Sequence, residues 1–246
     1  MKFNISAGHN PDGKIACGAS GYIKESTEAR KVTNEVIRLL KERGHTVYNC
    51  TCDNGTGQTD VLRKICNKAN SHTVDCDVSI HFNSSNGQGN GAEVLYKTSD
   101  GAKWATKVQK AIVKNISFKN RGIKKRDNLY YLNNTKNVAI LIECCFVDNK
   151  SDVNKYNYKK MAESIVEGLT GEVIKKEVFD MDKIVLYHGD ADVFAAVIVA
   201  QKYKCPMMKE SDFKISGLKA KEVVQIGGKA VDANRFQTFK NAAKLL

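Results

Sequence analysis

The sequence has no apolar run long enough to cross a membrane. Its longest apolar segments, residues 194–200 and 138–142, are far shorter than the roughly 20 residues that a spanning helix needs. The first ten residues, MKFNISAGHN, contain one lysine but no apolar core of the kind found in secretory signals. We therefore expect neither membrane insertion nor a signal peptide.

Cysteine pairs with zinc-finger spacing are also missing. Among the eight cysteines, Cys50 and Cys52 are separated by a single residue, and no two CxxC pairs occur. Without an export signal, the cysteines are expected to be reduced thiols rather than a disulfide scaffold. We predict that most of them are small core residues.

The charge is strongly unbalanced. The chain of 246 residues has 39 Lys and Arg against 27 Asp and Glu, a net charge of +12, and 42% hydrophobic residues, enough for a folded core. The excess is +9 in residues 1–177 and +3 in residues 178–246. A basic protein favours an anionic partner. We predict no nucleic-acid partner, because no helix-turn-helix, finger or RNA-binding signature is present and the basic residues are scattered.

Strand and helix patterns alternate through residues 1–174. Short apolar segments at 3–7, 46–49, 76–82, 93–97 and 138–142 are predicted strands, and periodic segments at 27–43, 59–69, 101–116 and 158–169 are predicted helices. This alternation predicts an α/β fold with a mixed, largely parallel sheet flanked by helices.

A charged stretch separates this part from a second α/β pattern. We predict a first domain at residues 1–174, a linker at 175–182 and a small C-terminal α/β domain at 183–246. The stretch is neither Pro-rich nor Ser-rich, so a long flexible tether is not expected.

Three polar residues follow or end predicted strands of the first domain. His9 follows the first strand, His81 ends DVSIH, and Glu143 ends VAILIE. Ligand sites of open α/β sheets form at the carboxyl ends of strands, so these side chains are expected to meet in one cleft.

Two imidazoles and a carboxylate suit a catalytic zinc ion, and a further carboxylate outside the metal shell could move the proton. That second carboxylate could be Glu25 or Glu28, at the start of the first helix. The simpler alternative is that each histidine is only hydrogen-bonded and that Glu143 forms a salt bridge with an arginine.

Several blocks occur in a recognisable order: SAGH, an acidic residue opening a helix that ends in LLKERG, then DVSIHFNSS, GAEVLY, RGIKKRDNLYYL and AILIECCFVDN. Over roughly residues 1–170 the chain resembles the zinc-dependent N-acetylmuramoyl-L-alanine amidases of the amidase type 3 family. The similarity is closest to the amidase endolysins of clostridial phages and prophages.

The resemblance implies that His9, Glu25 and His81 bind Zn²⁺, that Glu143 is the catalytic glutamate and that Asn83 lines the substrate site. Glu25 is preferred over Glu28 by its distance from Gly44, and Glu28 is expected on the solvated face of the helix. The implied reaction is hydrolysis of the amide between N-acetylmuramic acid and L-alanine. Glu143 would take a proton from the attacking water and return it to the departing nitrogen.

Residues 183–246, with GDADVFAAVIVAQKYKCP, IGG and RFQTF, resemble clostridial cell-wall-binding domains. The implied partners are peptidoglycan and its anionic polymers, and some relatives self-associate through this domain. The basic cluster of Arg121, Lys124, Lys125 and Arg126 is either a solvated loop or a contact with anionic wall polymer.

These features favour an endolysin made in the bacterial cytoplasm and acting at the cell wall after a holin opens the membrane. Three alternatives remain: a bacterial autolysin or spore-related amidase, another zinc peptidase or deacetylase acting on the wall, and a basic binding protein without enzymatic activity.

Overall fold

The computed structural model describes residues 1–173, 180–228 and 235–246. The chain divides into two compact units, Met1–Ile174 and Lys175–Leu246. Within the described residues, no helix combines the length and the apolar character that a membrane span requires.

The first unit has six strands and six helices in the part described. The strands are β1 (Lys2–Ala7), β2 (Thr46–Asn49), β3 (Cys76–Asn83), β4 (Ala92–Tyr96), β5 (Asn120–Lys125) and β6 (Ala139–Phe146). The helices are α1 (Glu25–Glu42), α2 (Gln58–Asn70), α3 (Ser99–Ile116), α4 (Tyr130–Asn134), α5 (Lys150–Lys155) and α6 (Tyr158–Thr170).

The six strands form one sheet in the order β2-β1-β3-β6-β4-β5. Strands β2, β1, β3 and β6 are parallel, β4 pairs antiparallel with β6, and β5 pairs parallel with β4. This confirms the predicted mixed, largely parallel α/β sheet flanked by helices.

The larger core lies between one sheet face and the helices α1, α3 and α6. Alternation in β3 directs Val78, Ile80 and Phe82 into this core, where Val78 and Ile80 are fully buried. Burying one such side chain stabilises the fold by about 1.5–3 kcal/mol. A smaller cluster covers the other face, where Val61 and Ile65 of α2 pack with Leu141 of β6.

Helix α6 begins and ends as its sequence indicates. The side chain of Asn157 accepts hydrogen bonds from the backbone N–H groups of Lys159 and Lys160, which have no partner within the helix. Gly171 ends the helix in a left-handed conformation with φ of 78°. The predicted span of 158–169 is therefore confirmed to within one residue.

The second unit has a three-stranded parallel sheet in the order β8-β7-β9. Its elements are β7 (Met181–Tyr187), a 3₁₀ turn (Asp190–Asp192), α7 (Val193–Tyr203), β8 (Met207–Lys209), α8 (Glu210–Ser216), β9 (Ala220–Ile226) and α9 (Arg235–Lys244). Strand β7 begins two residues before the predicted start of the second domain at 183. Residues 175–179 of the predicted linker lie outside the described residues.

Candidate active site

The two histidines lie at the same edge of the sheet because β1 and β3 run parallel. Ala7 at the end of β1 pairs with Ile80, the residue before His81. The backbone N–H of Gly8 donates to the carbonyl of Ile80 at 3.1 Å, which keeps the segment leading to His9 beside β3. The two histidines predicted to meet therefore converge, although β3 continues two residues past His81 to Asn83.

Glu25, the first residue of α1, lies between the two histidines. Its Oε1 is 3.2 Å from Nε2 of His9 and 3.1 Å from Nδ1 of His81. One ligand atom from each of the three side chains falls within 4.8 Å of the others. The structure thus brings together the three residues that the resemblance assigns to zinc.

Backbone hydrogen bonds fix the Glu25 carboxylate. The N–H of Ala19 donates to Oε2 at 2.8 Å, and the N–H of Phe82 donates to Oε1 at 3.1 Å. Burial opposes the charged form, but hydrogen bonds with His81 and His9 outweigh it and hold the pKa of Glu25 well below its usual range. Glu25 is therefore an oriented, ionised carboxylate.

Both histidines also make hydrogen bonds outside the cluster. Nε2 of His81 lies 3.1 Å from the Ser79 hydroxyl, on the side of the ring away from Glu25. Nη2 of Arg30, on α1, donates to the backbone carbonyl of His9 at 2.6 Å and to that of Cys52 at 3.0 Å. The Ser79 contact orients the His81 ring, as hydrogen bonds behind metal ligands commonly do, whereas Arg30 fixes the backbone at His9.

The three residues fit a zinc ion. Bonds of about 2.0–2.2 Å to zinc in a tetrahedral arrangement would place ligand atoms roughly 3.3 Å apart, close to the two measured distances. Three protein ligands leave a fourth position for water or substrate, which is the arrangement of catalytic zinc sites.

Gly18 allows the close approach of this cluster. A Cβ atom at this position would lie 2.5 Å from Oε2 of Glu25 and 2.8 Å from Cδ2 of His9. Its φ of +79° is also in the left-handed region that favours glycine. Sequence reasoning did not identify Gly18 or Arg30, because neither has a side chain that suggests metal chemistry.

Glu143 lies one strand away from His81. The two residues are paired in register between β3 and β6, so their side chains project from the same face of the sheet. Oε2 of Glu143 is buried and has no hydrogen-bond partner among the described residues. Burial, together with the negative charges of Glu25 and Glu93, raises the pKa of Glu143 to about 8. The predicted alternative, a salt bridge between Glu143 and an arginine, does not occur in the described part of the chain.

Glu93 continues the same row on the next strand, paired in register with Glu143 across β4 and β6. Nδ2 of Asn83, predicted to line the substrate site, donates to Oε1 of Glu93 at 3.0 Å. Arg121 and Lys124 form ion pairs with the same carboxylate. Glu93 was missed although a carboxylate inside the apolar block GAEVLY was a signal in the sequence.

The expectation that Glu28 lies on the solvated face of α1 is wrong. The residue is buried, with an exposed fraction of 9%. Its carboxylate accepts hydrogen bonds from Lys31 at 2.7 Å and from the hydroxyl of Tyr156 at 3.1 Å. The expectation failed because Tyr156 comes from a distant part of the chain. The metal cluster contains Glu25 and does not contain Glu28.

The remaining histidines and the cysteines have other surroundings. His45 contacts the N-terminal amine, His72 stacks on Tyr48, and His188 pairs with Glu210 in the second unit. All eight cysteines are free, and six are buried, as predicted for core residues; Cys17 and Cys205 are half-buried.

Comparison with known proteins identifies the class of the first unit. The family model described as N-acetylmuramoyl-L-alanine amidase matches residues 4–174. The catalytic domain of the CD27L endolysin targeting Clostridia difficile is 32% identical, with a TM-score of 0.66, over 71% of this chain and 99% of that domain. The family match lies within the first unit, and the structural neighbour shares its mixed α/β fold. The chain belongs to the N-acetylmuramoyl-L-alanine amidase family Amidase_3.

Longer relatives are also similar. An uncharacterized 38.4 kDa protein of Clostridium perfringens is 34% identical over 75% of this chain and 55% of its own length. The endolysin of Bacillus phage SPP1 is 29% identical over 67% of this chain and 61% of its own length. The chain thus spans little more than half the length of the Clostridium perfringens relative.

Proposed function

We propose that this chain is a zinc-dependent peptidoglycan hydrolase that cleaves the amide between N-acetylmuramic acid and L-alanine. The observation that carries the proposal is the placement of the unpartnered Glu143 carboxyl beside the cluster of His9, Glu25 and His81. Membership of the amidase family supports the choice of bond.

His9, Glu25 and His81 would hold the zinc ion. When bound, zinc supplies positive charge that polarises the amide carbonyl and makes water acidic enough to attack near neutral pH. The backbone N–H groups of Ala19 and Phe82 keep the Glu25 carboxylate directed at both imidazoles. The site is therefore oriented by the protein itself.

Glu143 moves the proton in this scheme. Its carboxylate accepts a proton from the attacking water and later donates it to the departing alanine nitrogen, two steps that one group can perform in sequence. To accept the proton Glu143 must be ionised. A cation held by the neighbouring ligands favours that form, because an opposite charge lowers the pKa of a carboxyl group.

The second unit is proposed to bind the cell wall, with peptidoglycan and its anionic polymers as partners. This assignment rests on its resemblance to clostridial wall-binding domains. A tethered wall-binding domain would raise the local concentration of substrate for the first unit. Self-association through the second unit is part of the same proposal and is favoured by Phe194 and Ile198, which are exposed one turn apart on α7.

The similarity to two endolysins supports a role in host lysis after release by a holin. A bacterial autolysin is the second candidate, because an uncharacterized cell wall amidase of Bacillus anthracis is 30% identical over 67% of this chain.

The proposal is tested by following the turbidity of purified clostridial walls treated with the full chain. We expect clearing that a chelator abolishes and added zinc restores. Clearing that persists in the chelator would reject the zinc requirement, and wall binding without clearing would reject the enzymatic assignment.

A further inference from the structure

A second cluster of charged side chains lies beside Glu143. His81, Glu143 and Glu93 are in register on three adjacent strands, β3, β6 and β4. Glu93 is only 5% exposed, and a buried carboxylate next to another carboxyl is unfavourable unless cations or hydrogen-bond donors compensate it. The side chains that contact Glu93 therefore determine which ligand this part of the site can bind.

Two cations reach the same oxygen of Glu93. Nε of Arg121 lies 2.9 Å from Oε2, and Nζ of Lys124 contacts Oε2 as well, while Asn83 donates to Oε1. Burial acts against ionisation of Glu93, but Lys124 and Arg121 outweigh it and lower the pKa of the carboxyl. Glu93 is thus an anion that holds two cations at one place.

A β-bulge makes this possible. Arg121 and Lys124 are three positions apart, so a regular strand would direct their side chains to opposite faces. The register between β4 and β5 shifts between Ala92 and Val94, and Gly122 has a φ of +77°. An extra residue in β5 changes the direction of the following side chains, so that Arg121 and Lys124 both contact Glu93.

The charges of this group do not cancel. Glu93 is the only acidic partner of Arg121 and Lys124 within the described ranges, which leaves one positive charge in excess. The side chains of Arg121 and Lys124 are 27% and 31% exposed, so both remain accessible to a ligand. The guanidinium also lies 4.9 Å from the centre of the Phe146 ring, which limits its movement.

We infer that Arg121 and Lys124, held by Glu93, form an anion subsite that recognises a carboxylate of the peptide stem next to the scissile amide. The inference rests on the proposed function and specifies the substrate class of the same site. Arg121 and Lys124 are specificity residues in this scheme, and Glu93 is a positioning residue.

The dimensions agree with the substrate. In a peptide stem, L-alanine is followed by a D-glutamyl residue linked through its γ-carboxyl, so its α-carboxyl is free or amidated. This group is two residues along, within roughly 7 Å of the scissile bond. Adjacent strands are about 4.8 Å apart, and Arg121 is on the second strand from that of Glu143. Because the Arg121 side chain extends toward Glu93 on the intervening strand, its guanidinium lies about 5–10 Å from the Glu143 side chain.

The test measures the binding of two product analogues to the zinc-loaded full chain by NMR titration. The probes are L-alanyl-D-glutamate and L-alanyl-D-isoglutamine, both with the γ-carboxyl capped as a methylamide, so that they differ only at the α-position. We expect the carboxylate form to bind about 10-fold more tightly, because hydrogen bonds to a charged group are stronger.

Arg121→Gln combined with Lys124→Gln is expected to reduce this preference to about 1. Arg121→Lys should keep part of it. Lys97→Gln, which removes one positive charge, as Lys124→Gln does, from an exposed site without a described partner, should keep all of it. If the double variant fails to fold, the single variant Lys124→Gln is expected to reduce the preference partially.

Equal binding of the two probes by the unmodified chain would overturn the inference, as would a preference that survives in the folded double variant or is unchanged in Lys124→Gln. Wall clearing by the unmodified chain, measured in parallel, distinguishes failure of the subsite inference from failure of the proposed hydrolysis. Clearing without probe preference rejects only the subsite, whereas binding preference without clearing rejects only the proposed hydrolysis.

Discussion

Oε1 of Glu25 lies 3.1 Å from Nδ1 of His81, although 56 residues separate them in the chain. The same oxygen accepts the backbone N–H of Phe82, so the start of α1 is bound to the end of β3 through one carboxylate. Because this link uses backbone and side-chain atoms alone, we expect the ligand set to be oriented before an ion binds. Pre-oriented ligands favour tight and selective metal binding.

Replacing Glu25 by glutamine tests which acidic residue belongs to the site. Glutamine loses the charge and keeps one oxygen, so it can accept the N–H of Ala19 or that of Phe82 but not both, because these donate to different oxygens of Glu25. We expect zinc affinity, measured by competition with a chromophoric chelator, to fall by at least ~100-fold, since even partners outside the metal shell contribute 10–100-fold. Glu28→Gln is the matched control and should retain zinc. Zinc affinity retained in Glu25→Gln and lost in Glu28→Gln would show that Glu28, not Glu25, is the metal ligand.

Replacing Glu143 by glutamine separates catalysis from metal binding. The amide has nearly the same shape but cannot take a proton from water, so the rate of wall clearing should fall by about 10²–10⁴-fold while bound zinc stays at the unmodified level. Glu42→Gln, at an exposed ion pair on α1, should change neither quantity. A rate within a few fold of the unmodified chain would show that Glu143 is not the proton-transfer group.

Gly18→Ala tests the packing of the cluster. The new Cβ would meet Oε2 of Glu25, and the left-handed backbone adds a cost of about 1–2 kcal/mol to folding. Gly13→Ala is a close control, because Gly13 has nearly the same φ, +80°, and an added methyl group would have no neighbouring atom within 4 Å. We expect a larger loss of thermal stability in Gly18→Ala than in Gly13→Ala, with zinc affinity lowered only in Gly18→Ala. Equal zinc affinity in both would mean that the cluster tolerates the methyl group.

Thiol reactivity tests the burial of the cysteines. Cys17 and Cys205 are half-buried, whereas the other six are buried. Burial raises the pKa of the Cys50 thiol to about 12 and that of Cys66 to about 11, so the reactive thiolate is scarce near neutral pH. In a chromogenic thiol assay we expect two groups to react rapidly in the native chain and eight after denaturation. Rapid reaction of more than two would contradict the packing described.

Part of the site was predictable because strand ends are visible in the sequence. Polar residues follow short apolar segments at His9, His81 and Glu143, and parallel strands bring such positions together. The prediction that His81 and Glu143 end their strands is wrong, because β3 continues to Asn83 and β6 to Phe146. The choice of Glu25 over Glu28 came from the family resemblance rather than from the residues. Both glutamates open α1, and only long-range contacts with His81 and Tyr156 separate them.

Strand β5 was not predicted, although its basic residues were identified from the sequence. Its sequence, NRGIKK, lacks the apolar alternation of a core strand because it is the edge strand of the sheet. The bulge at Gly122 then turns two cations toward Glu93, a rearrangement that regular spacing does not reveal. A cluster expected to be either a solvated loop or a contact with wall polymer therefore contains residues Arg121 and Lys124 bound to a buried carboxylate.

The most direct test of the account is the identity of the bond that is cut. Purified peptidoglycan is digested with the zinc-loaded full chain, and new amino termini and new reducing sugar ends are measured together. We predict new N-terminal alanine in step with wall clearing, glycan strands that retain free lactyl carboxyl groups, and no new reducing ends. New amino termini of another residue, new reducing ends, or clearing without new N-terminal alanine would contradict the assignment as an N-acetylmuramoyl-L-alanine amidase.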